Sequence, residues 1–188
     1  MVAILIALTA VFAKAASFKG TSYGEPYPTA SQIELKKADG QVFRLSDQKG
    51  KIVLLFFGFT NCTDVCPTTL ADLKQALNIL GEDKANSVEV VFVSLHPDRD
   101  TPDVIQQYVE KFDKKFIGLS GSMADLQKVW DAYGVYREKV PSDSQTNYDI
   151  EHTARVFLID GSGNLRLSYG TDNVTEEVSN DLNILLKN

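Results

Sequence analysis

The hydrophobic pattern along the chain changes period several times, and each change marks an element. Ile52 to Phe59 is continuously apolar, and Val88 to Leu95 is a second stretch rich in valine. Runs of this length predict strands buried on both faces of a mixed or parallel sheet. Ile33 to Lys36 alternates, Asp39-Gly40 supplies a turn, and Val42 to Leu45 follows, which predicts a hairpin. After Pro67 the period becomes helical: Leu70, Leu73, Leu77 and Leu80 share a face, and Gly81 stops them. Thr101-Pro102-Asp103 opens a second helix with a hydroxyl cap, a proline in the first turn and an acid. Its apolar face carries Val104, Ile105, Tyr108, Val109 and Phe112. Ser122 caps a third helix, with Asp125 three residues on; Leu126, Val129, Trp130 and Tyr133 line it and Gly134 ends it. Val156–Ile159 and Leu165–Tyr169 are strands joined by an Asp-Gly-Ser-Gly-Asn turn. A last helix turns Val174, Val178, Leu182 and Leu185 or Leu186 inward.

The order is hairpin, strand, helix, strand, helix, helix, hairpin, helix. Strands alternating with helices and closed by an antiparallel hairpin predict an α/β fold. Its mixed central sheet is flanked by helices, in a thioredoxin-like arrangement with an extra N-terminal β-hairpin. In open sheets of this kind, sites lie at the carboxyl ends of central strands. Met1 to Ala13 is almost wholly apolar and is followed by Ala13-Lys14-Ala15. Too short to span a bilayer, it reads as a signal peptide over 1–15. No basic residue precedes it, so a truncated membrane anchor and a buried N-terminal helix are the alternatives. Residues 16–30, rich in Gly, Pro, Tyr and Ser, read as a linker or arm, which leaves 31–188 as one domain.

The 188 residues suffice for one substantial core, and 44% apolar with 23% charged is ordinary for a globular chain. A net charge of −6 without a Lys/Arg cluster argues against nucleic acid, whose phosphates need a basic face. The same holds for anionic membrane surfaces. Export would place the chain in an oxidising compartment, where a disulfide is reachable.

The two cysteines, Cys62 and Cys66, fall in Cys62-Thr63-Asp64-Val65-Cys66-Pro67, directly after the first buried strand. Positions i and i+4 of a helical turn share a face, so both sulfurs can converge on a metal ion or join as a disulfide. A helix N-terminus lowers a thiol pKa, and thiolates favour Cu(I) and zinc. Thioredoxin-type redox enzymes use two intervening residues, whereas this chain has three. The two histidines are His96 and His152. His152 precedes the strand Val156–Ile159, where redox members of the fold carry a cis-proline that keeps metals off the thiol pair. That segment has no proline here, so Cys62, Cys66 and His152 are expected to form a two-sulfur, one-nitrogen site that suits copper.

With these residues in place, the chain resembles the Sco/SenC family of copper chaperones. The similarity runs from about Ile33 to the C-terminus. It rests on the segments Gly58 to Pro67, Val93 to Pro102, Tyr133 to Tyr136 and His152 to Asp160. The resemblance implies copper, Cu(I) or Cu(II), carried by Cys62, Cys66 and His152. It implies assembly of the dinuclear copper centre of cytochrome c oxidase subunit II, with a copper-donor chaperone upstream. It also implies a location in the bacterial periplasm or at the outer face of the cytoplasmic membrane, with the mitochondrial inner membrane as the less favoured alternative, and a monomer. A thiol-reductase role toward that subunit's cysteines is also attributed to the family. One departure stands out: the family usually has aspartate before Pro97, and this chain has His96. His96 is read either as an extra ligand or a neighbour of the ligands, or as a loop-end histidine exposed to water.

Three functions compete at this point: a copper metallochaperone, an extracytoplasmic thiol–disulfide oxidoreductase using Cys62 and Cys66 as its redox pair, and a peroxidase-like thiol enzyme. A purely structural disulfide is the plainest alternative for the cysteines. Asp64 is expected to face solvent or cap the following helix. Asp98, Arg99 and Asp100 are expected to form a solvated charged turn or a docking surface. Phe59 is expected to wall the site.

Overall fold

A computed structural model describes residues 17–141 and 148–187. In chain order the strands are β1 (Thr21–Ser22), β2 (Glu34–Lys36), β3 (Val42–Arg44), β4 (Ile52–Gly58), β5 (Val88–Ser94), β6 (Ile117–Leu119), β7 (Arg137–Pro141), β8 (Tyr148–His152), β9 (Val156–Ile159) and β10 (Leu165–Tyr169). The helices are α1 (Val65–Leu80), α2 (Glu82–Ala85), α3 (Pro102–Val109), α4 (Met123–Ala132) and α5 (Val174–Leu185).

The two apolar runs become the middle of a six-stranded mixed sheet with the order β1-β10-β9-β4-β5-β6. β4 and β5 are parallel, in register from Ile52 against Val88 to Gly58 against Ser94. β9 flanks β4 antiparallel. All seven residues of β4 are buried because both sheet faces are covered. Ile52, Leu54 and Phe56 join α1, α3 and α5 in one core, and Val53, Leu55 and Phe57 join the β2–β3 hairpin and α4 in the other. This is the period-two split of a pleated strand. Each such side chain contributes about 2 kcal/mol on burial. The mixed sheet flanked by helices and the N-terminal hairpin agree with the thioredoxin-like expectation.

The predicted caps hold. Thr101 Oγ1 accepts from the Val104 N–H, and Ser122 Oγ accepts from the Asp125 N–H. α1 begins two residues before Pro67, so Cys66 lies inside its first turn. Proline is tolerated there, where N–H groups lack helical partners.

Several elements escaped the hydrophobic pattern. β6 closes one edge of the sheet; Lys36 bridges Ser120 just past its end, but among the described residues no further strand covers β6 itself. The Gln106 side chain does so instead: its Nε2 donates to Phe116 O at 3.0 Å and its Oε1 accepts from the Gly118 N–H at 2.8 Å. Any Cβ at Gly118 would meet α3 backbone at 2.8 Å, which explains the glycine. β7 and β8 form a separate antiparallel pair, with Arg137 opposite His152. Within residues 17–30, Thr21–Ser22 pairs with β10. There, buried Asp181 accepts hydrogen bonds from the N–H groups of Lys19 and Gly20 and from the Tyr169 hydroxyl. The expected signal segment 1–15 and the first residue of the arm lie outside the described residues. Among the described residues, no helix is long and apolar enough to cross a membrane.

Candidate metal and thiol site

β4 delivers the chain to the end of the sheet, and the cysteine loop follows at once. Phe59 is buried, and the Cys62 N–H donates to Phe59 O at 3.2 Å, folding the loop into a turn. Cys62 is half-buried and Cys66 fully buried, and both are free thiols. The Cys66 backbone N–H donates to Cys62 Sγ at 3.3 Å, so the first turn of α1 aims its donors at this sulfur. A Cβ on Gly58 would meet Cys66 Sγ at 2.5 Å and the Phe92 ring at 2.7 Å. Glycine at the end of β4 is therefore what lets the second thiol sit against the sheet.

The two sulfurs differ electrostatically. Cys62 is lowered to about 6, first by a hydrogen bond from the Cys66 thiol and further by the N–H groups of Cys66, Asp64 and Val65, against the opposing effect of burial. Cys66 is pushed well above the ordinary thiol range, because its proton serves the Cys62 sulfur and because it is buried. The loop thus holds one thiolate with access to solvent and one protonated thiol behind it. Asp64 is exposed and makes no side-chain cap.

His152 ends β8 at the same end of the molecule. It is half-buried, with its ring edge-on to Phe59 at 5.9 Å between centroids. Phe59 thus touches His152 through its ring and the cysteine loop through its carbonyl. His152 Nδ1 donates to Thr153 O at 3.0 Å, which places the lone pair on Nε2. The structure brings Cys62 and Cys66 together and sets the His152 ring against Phe59. Among the described residues, no three His, Cys, Asp or Glu side chains stand close enough together to hold a metal ion.

His96 is not a water-exposed loop histidine. It is 2% exposed, its N–H donates to Ser94 Oγ at 2.9 Å, and its Nε2 shares a 2.6 Å hydrogen bond with the Tyr148 hydroxyl. Burial holds its pKa below the usual imidazole range, Lys139 and Arg99 push the same way, and Asp100 and Asp98 oppose them.

The charged turn also differs from expectation at one position. Asp98 and Arg99 are exposed, but Asp100 is 0% exposed. Its carboxylate accepts from the Thr60 N–H at 3.1 Å, the Thr60 hydroxyl at 2.6 Å and the Ser94 hydroxyl at 3.0 Å. A buried carboxylate needs such donors. Here they tie the cysteine loop to the end of β5, and the hydroxyl residues at the ends of β4 and β5 were the signal in the sequence. Arg99 adds an exposed bond to Asn61 Oδ1 at 3.0 Å. Arg137, also missed, donates from Nε to Leu95 O, and its guanidinium lies 5.2 Å from the Trp130 ring. Trp130 Nε1 in turn donates to Ser94 O at 3.1 Å.

Comparison with known proteins places this arrangement. Residues 21–187 match the SCO1/SenC family. A SCO2-like protein of Rickettsia felis is 32% identical over 83% of this chain and 76% of its own length. The solution structure of apo Sco1 from Thermus thermophilus is 39% identical with a TM-score of 0.81, covering 92% of this chain and 99% of that one. The structure of Bradyrhizobium japonicum ScoI with copper bound is 35% identical with a TM-score of 0.75, covering 84% and 99%.

Proposed function

The chain belongs to the SCO1/SenC family, and from that premise we propose that it is a copper metallochaperone whose cargo is held by Cys62, Cys66 and His152. The observation that carries the reading is the pair of free sulfurs at the first turn of α1, with Cys62 Sγ accepting the Cys66 N–H at 3.3 Å. A soft thiolate with a second sulfur beside it suits Cu(I), and an imidazole nitrogen completes a set that also suits Cu(II). The lone pair on His152 Nε2 fits that role. Copper binding on this reading draws the end of β8 and the cysteine loop together. The relative from Bradyrhizobium japonicum, solved with copper bound, supports copper as the cargo. The acceptor is the dinuclear copper site of cytochrome c oxidase subunit II, the donor is another copper chaperone, and the location is outside the cytoplasmic membrane.

Anaerobic copper titration of the reduced protein, read by absorption and electron paramagnetic resonance, tests this. One copper per chain is expected, with strong loss in Cys62→Ser, Cys66→Ser and His152→Ala. Tight binding that survives His152→Ala would overturn the ligand set.

The contrast between the two sulfurs favours a second reading that can coexist. A low-pKa accessible thiolate backed by a protonated buried thiol suits disulfide reduction. Cys62 attacks a partner disulfide, the released partner sulfur takes a proton from solvent, and Cys66 then attacks the Cys62 sulfur and displaces the second partner sulfur, which takes up the Cys66 proton. Two electrons pass to the partner, and an external dithiol must reduce the Cys62–Cys66 disulfide afterwards. Disulfide exchange that persists in His152→Ala supports it, and exchange undetectable in wild type removes it.

A further inference from the structure

The β7–β8 hairpin carries His152, yet it pairs outside the six-stranded sheet. Its place is set by side chains. Tyr148, Ile150 and His152 alternate along β8 and so share one face. Ile150 on that face is buried. Arg137 and Lys139 of β7 reach the loop after β5: Arg137 Nε donates to Leu95 O, and Lys139 Nζ lies 3.1 Å from Asp98 Oδ2. A further contact is part-buried. The His96 and Tyr148 rings meet edge-to-face at 5.6 Å and share the 2.6 Å hydrogen bond.

His96 is itself fixed. Its N–H is held by Ser94 Oγ, the Ser94 hydroxyl donates to Asp100, and Asp100 accepts both the N–H and the hydroxyl of Thr60. A continuous set of hydrogen bonds therefore runs from β8 through His96, Ser94 and Asp100 to the loop that holds the two sulfurs. Tyr148 and His152 sit four residues apart on one strand, about 13 Å at 3.3 Å per residue. Fixing the first restricts the second.

We propose that His96 is a positioning residue: through Tyr148 it latches β8 to the carboxyl end of β5 and so sets where His152 stands relative to Cys62 and Cys66. The inference rests on the copper reading of those three residues and adds what holds the nitrogen donor in place. His96 acts through its hydrogen bond to Tyr148, so it is a different residue from a fourth ligand and behaves differently when Tyr148 is changed.

The test compares wild type, His96→Ala, Tyr148→Phe and the double variant, with His152→Ala as reference. Tyr148→Phe keeps the ring and removes only the hydroxyl, so folding is not at stake. Copper(I) affinity is measured by competition with a chromophoric chelator, and the copper(II) form by electron paramagnetic resonance. Hydrogen exchange of the Asp149 and Glu151 amides, which occupy the hydrogen-bonded positions opposite Val140 and Glu138, is followed in the metal-free protein. The latch predicts that each single variant loses about tenfold in affinity and shifts the copper(II) spectrum. It also predicts that the double variant is no worse than the poorer single one and that both β8 amides exchange faster. Loss in His96→Ala with wild-type behaviour in Tyr148→Phe overturns it, and so do additive losses or unchanged exchange of the Asp149 and Glu151 amides. If wild type binds no copper, the copper reading falls instead, and exchange in the metal-free variants still decides whether His96 holds the hairpin.

Discussion

The cysteine loop and the β7–β8 hairpin both touch Phe59, but different forces hold them there. The loop grows out of β4, a strand buried along its whole length, and its second sulfur is sealed against Gly58 and Phe92. The hairpin stands outside the main sheet and reaches the body through buried Ile150 and the His152 ring on Phe59, and also through a tyrosine–histidine bond, an arginine set on a backbone carbonyl and the Trp130 ring, and an exposed lysine–aspartate pair. Apolar burial is hard to alter without unfolding, whereas polar contacts of this kind each contribute on the order of 1 kcal/mol. The sulfurs are thereby placed by a fully buried strand, and the imidazole by a smaller apolar contact together with polar ones that sequence changes can adjust one at a time.

That contrast can be broken at the loop's support first. Phe56→Ala is expected to lower stability by about 4 kcal/mol, read as a denaturant midpoint shift at constant slope. A loss below about 1 kcal/mol would mean that β4 is not the rigid backing described. Gly58→Ala is expected to cost about 2 kcal/mol, because the new methyl group meets the Cys66 sulfur and the Phe92 ring. It should also disturb copper binding more than its stability loss accounts for.

The inequality of the two thiols sharpens the comparison. At neutral pH an alkylating reagent should modify Cys62 at least about tenfold faster than Cys66, with a rate that rises through about pH 6. The lowered pKa also fixes the sign of its linkage to folding. The thiolate's contribution is complete above the ordinary thiol value and is lost as pH falls through about 6. A midpoint that is flat between pH 5 and 9 would contradict it.

The smallest effect belongs to the hairpin rim. Asp98→Ala removes the exposed contact with Lys139 while leaving Lys139 over the Tyr148 ring, and should leave the denaturant midpoint unchanged. A clear loss there would show that the hairpin depends on its rim as well as on Tyr148.

The sequence made some of this legible for definite reasons. β4 and β5 announce themselves because both their faces are buried, and Cys62 and Cys66 because no other cysteines compete. β6 did not, since Ile117-Gly118-Leu119 is three residues with a glycine whose need arises from α3 packing. β7 and β8 did not either, because Arg137-Glu138-Lys139 and Glu151-His152 show no apolar alternation and the pair rests on side chains remote in sequence. Asp100 resembled its exposed neighbours Asp98 and Arg99. Its burial depends on Thr60 and Ser94, brought to it only when the parallel strands align. His96 was ambiguous for the same reason, its partner lying 52 positions away.

Trp130 is the chain's single tryptophan, and it touches both the carboxyl end of β5 and the guanidinium of Arg137. Its emission spectrum is therefore an optical gauge of whether the hairpin is seated, readable in dilute solution without any attached dye.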